Sequence, residues 1–349
     1  MTFTDCLTDQ LALHPAMTPQ DVVKLCYQAS HGAEHLLHDP AAAWAALEAE
    51  YEATPPCDGP LYEPISDSVC RVGLAAWRAR GLPLVWLFRL FCASCTVAED
   101  GDARFSDCLE KAHELLRAHA PGFSYAEFEE YVKGYTAGGI RAVHHSEAYR
   151  RAERPAYRIV SARLCRAIPI LERVKDHGEG DAPCVIAIDG RAASGKTTLS
   201  EALRIALEGE VIHMDDFFLP PTLRSEERFR TPGQNIHHER FCEEILPFVG
   251  KREGFAYRIF DCGRMDYHGK RSITDAHYRI VEGSYSLHPI FGDYATLTVF
   301  SDVTPAEQTE RIRVRNGEEM LARFLSRWIP LEEEYFTHYE IARRCDLTV

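Results

Sequence analysis

At 349 residues the chain is longer than one ordinary domain, and its length favours two compact units, each able to bury its own core. Acidic residues outnumber basic ones by 53 to 39, a net charge of -14, which excludes a general electrostatic grip on nucleic acid, so any bound anion must be held locally. No apolar run approaches the ~20 residues that span a bilayer, and the opening MTFTDCLTDQ lacks the basic-then-apolar pattern of a signal peptide, so a cytoplasmic protein with no membrane or nucleic-acid partner is expected.

The first part of the chain reads as helix after helix. TPQDVVKLCYQASHG opens with a Thr cap and spaces Val22, Val23, Leu25 and Cys26 along one face; DPAAAWAALEAEYEA follows Asp39 with Pro40 at the first helical position. Between them, HGAEHLLH sets His31, His35 and His38 at helical spacings. With Glu34, and with His144, His145 and Glu147 farther along, these are candidate metal ligands, set against the commoner roles of packing, capping and solvated histidines.

SDSVCRVGLAAWRARG continues the helical pattern, and LVWLFRLFCASC carries Cys92 and Cys95. No second C-x-x-C stands at zinc-ribbon spacing and no βαβ context surrounds this one, so buried, reduced thiols are expected. DARFSDCLEKAHELLRAHA, SYAEFEEYVKGY and RIVSARLCRAIPILERVKD follow, punctuated by Gly and Pro. HHSEAYRRAERPAYRIV, dense in polar and aromatic groups, suits a second site, a docking surface or a well-bonded corner. The pattern predicts an all-α domain over residues 1–175, without internal repeats.

DHGEGDAP, residues 176–183, is a polar linker. Beyond it, residues 184–349 alternate: strand CVIAID, helix TTLSEALRIALEG, strand EVIHM, a long irregular stretch, strands YRIVEG and ATLTVFSDV, then helices to a terminal DLTV. Strands alternating with helices predict an α/β domain with a mostly parallel sheet covered on both faces, whose ligands gather at the carboxyl ends of the strands.

There the sequence carries its chemistry. GRAASGKT, from Gly190 to Thr197, fits G-x-x-x-x-G-K-[ST] between a strand and a helix. Small residues let the loop curl so that successive N–H groups face phosphates at the positive end of the next helix; Gly190, Ala193, Ser194, Gly195, Lys196, Thr197 and Thr198 are the candidate nucleotide-binding residues. Lys196 is expected to reach the β and γ phosphates and Thr197 to hold Mg²⁺. HMDDFF sets Asp215 and Asp216 at the end of the next strand, and RIVEGSY sets Glu282 at the end of another, three acids at one sheet edge. A carboxylate there can accept the proton of an incoming hydroxyl or hold Mg²⁺.

GRAASGKTT, MDDFF, VEGSY and VFSDVTPAEQTERIRVRNG together resemble the uridine kinase and phosphoribulokinase group of P-loop kinases, over most of residues 183–349 and none of the N-terminal half. The resemblance implies a P-loop kinase domain using ATP and Mg²⁺, with Asp215 as base or magnesium organiser and Glu282 assisting the metal or the acceptor. It also makes the segment around Arg311, Arg313 and Arg315 a lid over the transferring phosphoryl group. Arg311 and Arg315 share a helix face and are the favoured pair, with Arg323 and Arg327 open as contributors.

The ~65 residues between Asp216 and Glu282 are long for a connection and are expected to hold the acceptor site. Phe217 and Phe218 are candidates for its wall, Arg228 and Arg230 for an anionic substituent, and His237, His238, Tyr257, Arg258, Asp261 and Tyr285 for polar contacts. NIHHERF stands where the nucleoside kinases have Asn followed by Asp-x-Pro. The leading expectation is an ATP-dependent kinase acting on a hydroxyl of a nucleoside or similar polar metabolite. The alternative is a nucleotide-dependent sensor whose helical domain binds a partner; a GTPase-like switch ranks last because no N-K-x-D motif follows the loop. A small-molecule hydroxyl acceptor is the expected partner, with room for a homo-oligomer.

Overall fold

The computed structural model describes residues 2–33, 39–96, 99–118, 122–177 and 180–349, which divide into two units, Met1–Ile168 and Pro169–Val349. In the first unit the predicted helices form where their caps place them. Thr18 and Asp21 make a reciprocal capping box at the start of helix Pro19–His31, and Asp39 accepts from the amides of Ala41 and Ala42 ahead of helix Pro40–Ala53. Val22, Val23, Leu25 and Cys26 are all fully buried.

The unit is not all-α. Strands β1 (Tyr62–Pro64), β2 (Val69–Gly73) and β3 (Tyr157–Ser161) form an antiparallel sheet in that order. Two segments with the pattern of single helices, SDSVCRVGLAAWRARG and RIVSARLCRAIPILERVKD, each split into a strand followed by a helix, Leu74–Ala79 and Ala162–Cys165. A buried apolar run of four or five residues carries no period that separates strand from helix, and here Val69, Val72, Ile159 and Val160 favour the strand.

Every cysteine is free, Cys92 and Cys95 being half-buried rather than buried. Among the described residues no three His, Cys, Asp or Glu side chains lie together as a ligand set. His31 pairs with Asp102, His145 with Asp21, Glu147 with Arg151, and His144 is exposed; Glu34, His35 and His38 lie outside the described residues.

In the second unit five strands make one parallel sheet in the order β10-β9-β4-β8-β5. They are β4 (Cys184–Gly190), β5 (Glu210–His213), β8 (Tyr278–Glu282), β9 (Leu297–Ser301) and β10 (Leu347–Thr348). β4 is buried along its whole length, as a central parallel strand covered on both faces must be. Its register sets Ile188 level with Glu282 and with Val299, so the phosphate-loop motif and the acid of VEGSY leave the sheet at the same edge.

The stretch expected to be irregular contains a hairpin, β6 (Phe255–Asp261) with β7 (Asp266–Ile273), and short helices at Glu226–Arg230 and His238–Glu244. Phe217 does not wall an acceptor site. It is 0 % exposed, packed against Phe241 and Tyr257 with the Arg240 guanidinium 4.3 Å from its ring centre. Phe217→Ala is therefore expected to act on the fold, lowering stability by about 3–5 kcal/mol in denaturant unfolding while nucleotide affinity at the remaining folded fraction stays near its original value.

Candidate active site

The next-to-last residue of β4 is Asp189, fully buried, whose carboxylate accepts from the amides of Gly190, Tyr285 and Leu287 and from the Tyr335 hydroxyl at 2.7–3.0 Å. That one acid ties the start of the loop to the turn after β8. Gly190 then turns the chain with φ +142, and a Cβ there would sit 2.0 Å from the carbonyl oxygen of Ser301, so only glycine fits. Ala193 and Gly195 also take positive φ, 57 and 96.

Each carbonyl of the loop from Gly190 to Ser194 accepts from a protein donor. Lys196 Nζ bonds the oxygens of Gly190 and Arg191 at 2.7 and 2.8 Å, Gln308 that of Ala192 at 3.0 Å, Arg311 that of Ala193 at 3.2 Å, and Ser301 that of Ser194 at 3.4 Å. The amides of Arg191, Ala192 and Ser194 are bonded to Ser301, Glu332 and Arg191. Helix Lys196–Leu207 makes its first closing bond from Leu199 to Gly195, and among the described residues the amides of Gly195, Lys196, Thr197 and Thr198 have no protein acceptor. Four donors at a helix N-terminus, with a buried ammonium bonded only to carbonyls, form an anion cradle.

Thr197 Oγ1 stands 3.4 Å from each carboxylate oxygen of Glu282, and His213 Nδ1 bonds Glu282 at 2.6 Å, holding its orientation. Asp215, on the turn after β5, is exposed and has no hydrogen-bond or ion-pair partner among the described residues. The protein crowding it, and then the charge of Glu282, hold its carboxyl above the usual carboxylate range against the pull of Lys196 and His213. Asp216 does not share that crevice. It accepts from the Tyr257 hydroxyl at 3.0 Å and pairs with Arg271 at 3.2 Å, securing the β6–β7 hairpin.

Two acids that no sequence motif marks complete the loop's support. Glu333 holds Arg191 through both oxygens, at 2.6 and 3.0 Å. Glu332, 8 % exposed, accepts from the Ala192 amide and meets the Ser284 hydroxyl, both at 2.8 Å. Ser284 also lies 3.0 Å from the Gly190 oxygen, so its single proton faces two acceptors. The set closes if Glu332 itself carries a proton, and burial raises its carboxyl in that direction, with Lys196 opposing. Glu332→Gln reproduces that donor and acceptor pair and is expected to keep nucleotide affinity within about threefold, whereas Glu332→Ala leaves the Ala192 amide unpaired and costs about 1–3 kcal/mol, read by calorimetric titration.

Helix Pro305–Arg323 is broken at Gly317, with φ 79 and ψ 170, and runs on into a π-helical turn, Phe324–Trp328. Of its arginines, Arg311 touches the phosphate loop. Arg315 is exposed against Asn316, Arg313 is tied to Glu310 and Glu318, Arg323 to Glu319, and Arg327 stacks on Phe229 and Trp328. Arg311 and Arg315 have no carboxylate partner among the described residues, so their charges stay available to an anion.

Most of the expected acceptor contacts are spent inside the protein. Arg228 pairs with Glu239, Arg230 with Glu226 and Arg258 with Glu244; Asp261 caps the hairpin turn through the amides of Gly263 and Arg264. Tyr285 is buried beneath the loop with φ +75, Tyr257 is buried against Asp216, and His238 is buried on the Gly233 oxygen. His237 is half-buried, 3.5 Å from the Tyr267 hydroxyl. Arg224, which carries no sequence signal, bonds the Leu219 oxygen and the Met265 sulfur, and Cys262 at the hairpin turn lies in electrostatic reach of both Arg224 and Asp215.

Fold and loop together define an α/β unit with a parallel sheet and a phosphate loop of the P-loop type. Comparison with solved structures finds a protein provisionally assigned as a uridine kinase from Bacillus stearothermophilus, 20% identical, covering 53% of this chain and 98% of that one with a TM-score of 0.42. It also finds one provisionally assigned as a fructose transport system kinase from Silicibacter sp. TM1040, 22% identical, covering 54% and 98% with a TM-score of 0.44. No family model and no curated protein matches the chain.

Proposed function

We propose that the second unit is an ATP-dependent kinase that transfers the γ-phosphoryl group to a hydroxyl of a nucleoside or similar small polar metabolite. The observation that carries this reading is Asp215: an unpartnered carboxylate, raised above the ordinary range, at the same sheet edge as the Lys196 cradle and Glu282. A hydroxyl acceptor must lose a proton on phosphoryl transfer, and an unpartnered carboxylate at that edge is placed to receive it.

The residues suit the cofactors. The amides from Gly195 to Thr198, which have no protein acceptor among the described residues, match phosphate oxygens, and the hydroxyl of Thr197 with the carboxylates of Asp215 and Glu282 makes an oxygen-only donor set of the kind Mg²⁺ prefers. Mg²⁺, when bound, offsets the charge of the phosphates. Lys196 and Arg311 contribute fixed positive charge beside the transferring group, and Asp215 receives the acceptor's proton. No helix of the described residues is long and apolar enough to cross a membrane.

The test is a screen of ADP formation by the full chain with ATP, Mg²⁺ and a panel of nucleosides, vitamins and sugars. At least one acceptor is expected to raise turnover well above the Lys196→Ala background. Turnover that no acceptor changes would remove the kinase reading and leave a nucleotide sensor.

A further inference from the structure

β5 and β8 are neighbours in the parallel sheet, and their register sets His213 level with Glu282, each the last residue of its strand. Residues level on adjacent parallel strands lie about 5 Å apart and point to the same face of the sheet. The strand pairing itself therefore brings an imidazole to a carboxylate where both strands end. The bond that results, from His213 Nδ1 to Glu282 Oε1, is 2.6 Å long.

Glu282 has little else to hold it. Its side chain is 6 % exposed, and among the described residues its remaining hydrogen-bond contacts are the two 3.4 Å approaches of the Thr197 hydroxyl. One proton divided between two oxygens at that distance does not fix a carboxylate. Asp215 stands two residues beyond His213 on the turn after β5, so like charges share this edge of the sheet. A carboxylate beside its like is driven away from it unless a donor pins it.

His213 is in turn held at its backbone. Its N–H donates to the Tyr257 hydroxyl at 3.3 Å, that hydroxyl donates to Asp216 at 3.0 Å, and Asp216 pairs with Arg271 at 3.2 Å. The imidazole thus projects from a strand end tied to the β6–β7 hairpin. A carboxylate offers about four lone-pair positions, and the bond from Nδ1 takes one of them, so Glu282 keeps others for a cation or its water.

We propose that His213 is a positioning residue of the candidate kinase site: through Nδ1–H it holds Glu282 in the orientation in which that carboxylate serves Mg²⁺. This role rests on the kinase reading for the presence of metal and nucleotide at this edge. It adds a residue that neither the phosphate-loop pattern nor MDDFF nor VEGSY marks.

A positioning role depends on the donor and not on the bulk of the ring, and two variants separate these. His213→Phe keeps a ring and loses the donor, whereas His213→Asn loses the ring and keeps an amide nitrogen close to the place of Nδ1. Mn²⁺ is titrated into the full chain with one equivalent of ADP, the free ion being read by electron paramagnetic resonance, and ADP affinity without metal is measured by calorimetry. His213→Phe is expected to weaken Mn²⁺ binding about 10- to 100-fold, the usual effect of removing a group that orients a metal's ligand, with metal-free ADP affinity within about threefold of wild type. His213→Asn is expected to keep Mn²⁺ binding within about threefold of wild type. His213→Ala, which adds no bulk, takes the place of His213→Phe should that chain not fold. Mn²⁺ binding that His213→Phe leaves unchanged overturns the proposal, and so does equal weakening in His213→Phe and His213→Asn, which assigns the histidine to packing. The kinase reading fails separately: a wild-type chain that takes up no Mn²⁺ with ADP loses the metal and His213's role together, whereas an acceptor screen without a hit leaves the Mn²⁺ comparison to decide His213 alone.

Discussion

Lys196→Ala is expected to lower acceptor-dependent ADP production by at least about a hundredfold, the scale on which removing one fixed positive group from a phosphoryl-transfer site acts. The lysine is buried, and among the described residues its ammonium is held by the oxygens of Gly190 and Arg191. No carboxylate neutralises it in an ion pair among the described residues, so its charge is committed to the cradle. The same variant withdraws a donor from two carbonyls of the loop, and nucleotide affinity is expected to fall with turnover. A coupled ADP assay and a nucleotide titration on one preparation separate these effects. Full affinity with lost turnover assigns Lys196 to the transition state alone, and wild-type turnover removes it from the chemistry.

What the sequence discloses is local. G-x-x-x-x-G-K-T carries its own structural requirement, because Gly190 and Gly195 are needed for positive φ and Gly190 for the contact with Ser301, so pattern and geometry coincide. Capping boxes at Thr18 and Ser124 are equally legible, being set by residues three apart. Partnerships across long separations are not. Glu332 meets Ala192 over 140 residues and Asp216 meets Arg271 over 55, and nothing in a linear pattern says which acid turns toward solvent and which toward a hairpin.

The acceptor region is illegible for a related reason. Arginines in a long loop invite a reading as ligand cations, yet Arg228, Arg230 and Arg258 each find an acid close by in the chain: Glu239, Glu226 and Glu244. The short sheet of the first unit is hidden because VCRVG and YRIVS run straight into helices, and a single apolar stretch conceals the change of period.

The pair in MDDFF gives the sharpest contrast between chemistry and support. Asp215→Asn keeps the shape of the side chain but removes the acceptor for the hydroxyl proton, and kcat is expected to fall about 10²- to 10⁴-fold, the usual worth of a positioned general base, with nucleotide affinity changed little. Asp216→Asn should do the reverse. It weakens the bonds to Tyr257 and Arg271 and is expected to lower stability by about 1–3 kcal/mol while kcat stays within about tenfold. The pH dependence has a definite sign. Crowding and Glu282 favour the protonated form of Asp215, so activity is lost as pH falls through a value above that of an ordinary aspartate. Glu282→Gln removes one of the two causes, and residual activity in that variant should persist to lower pH. An acid limb that stays in place in Asp215→Asn would assign the proton acceptor to another group and return Asp215 to a purely positioning role.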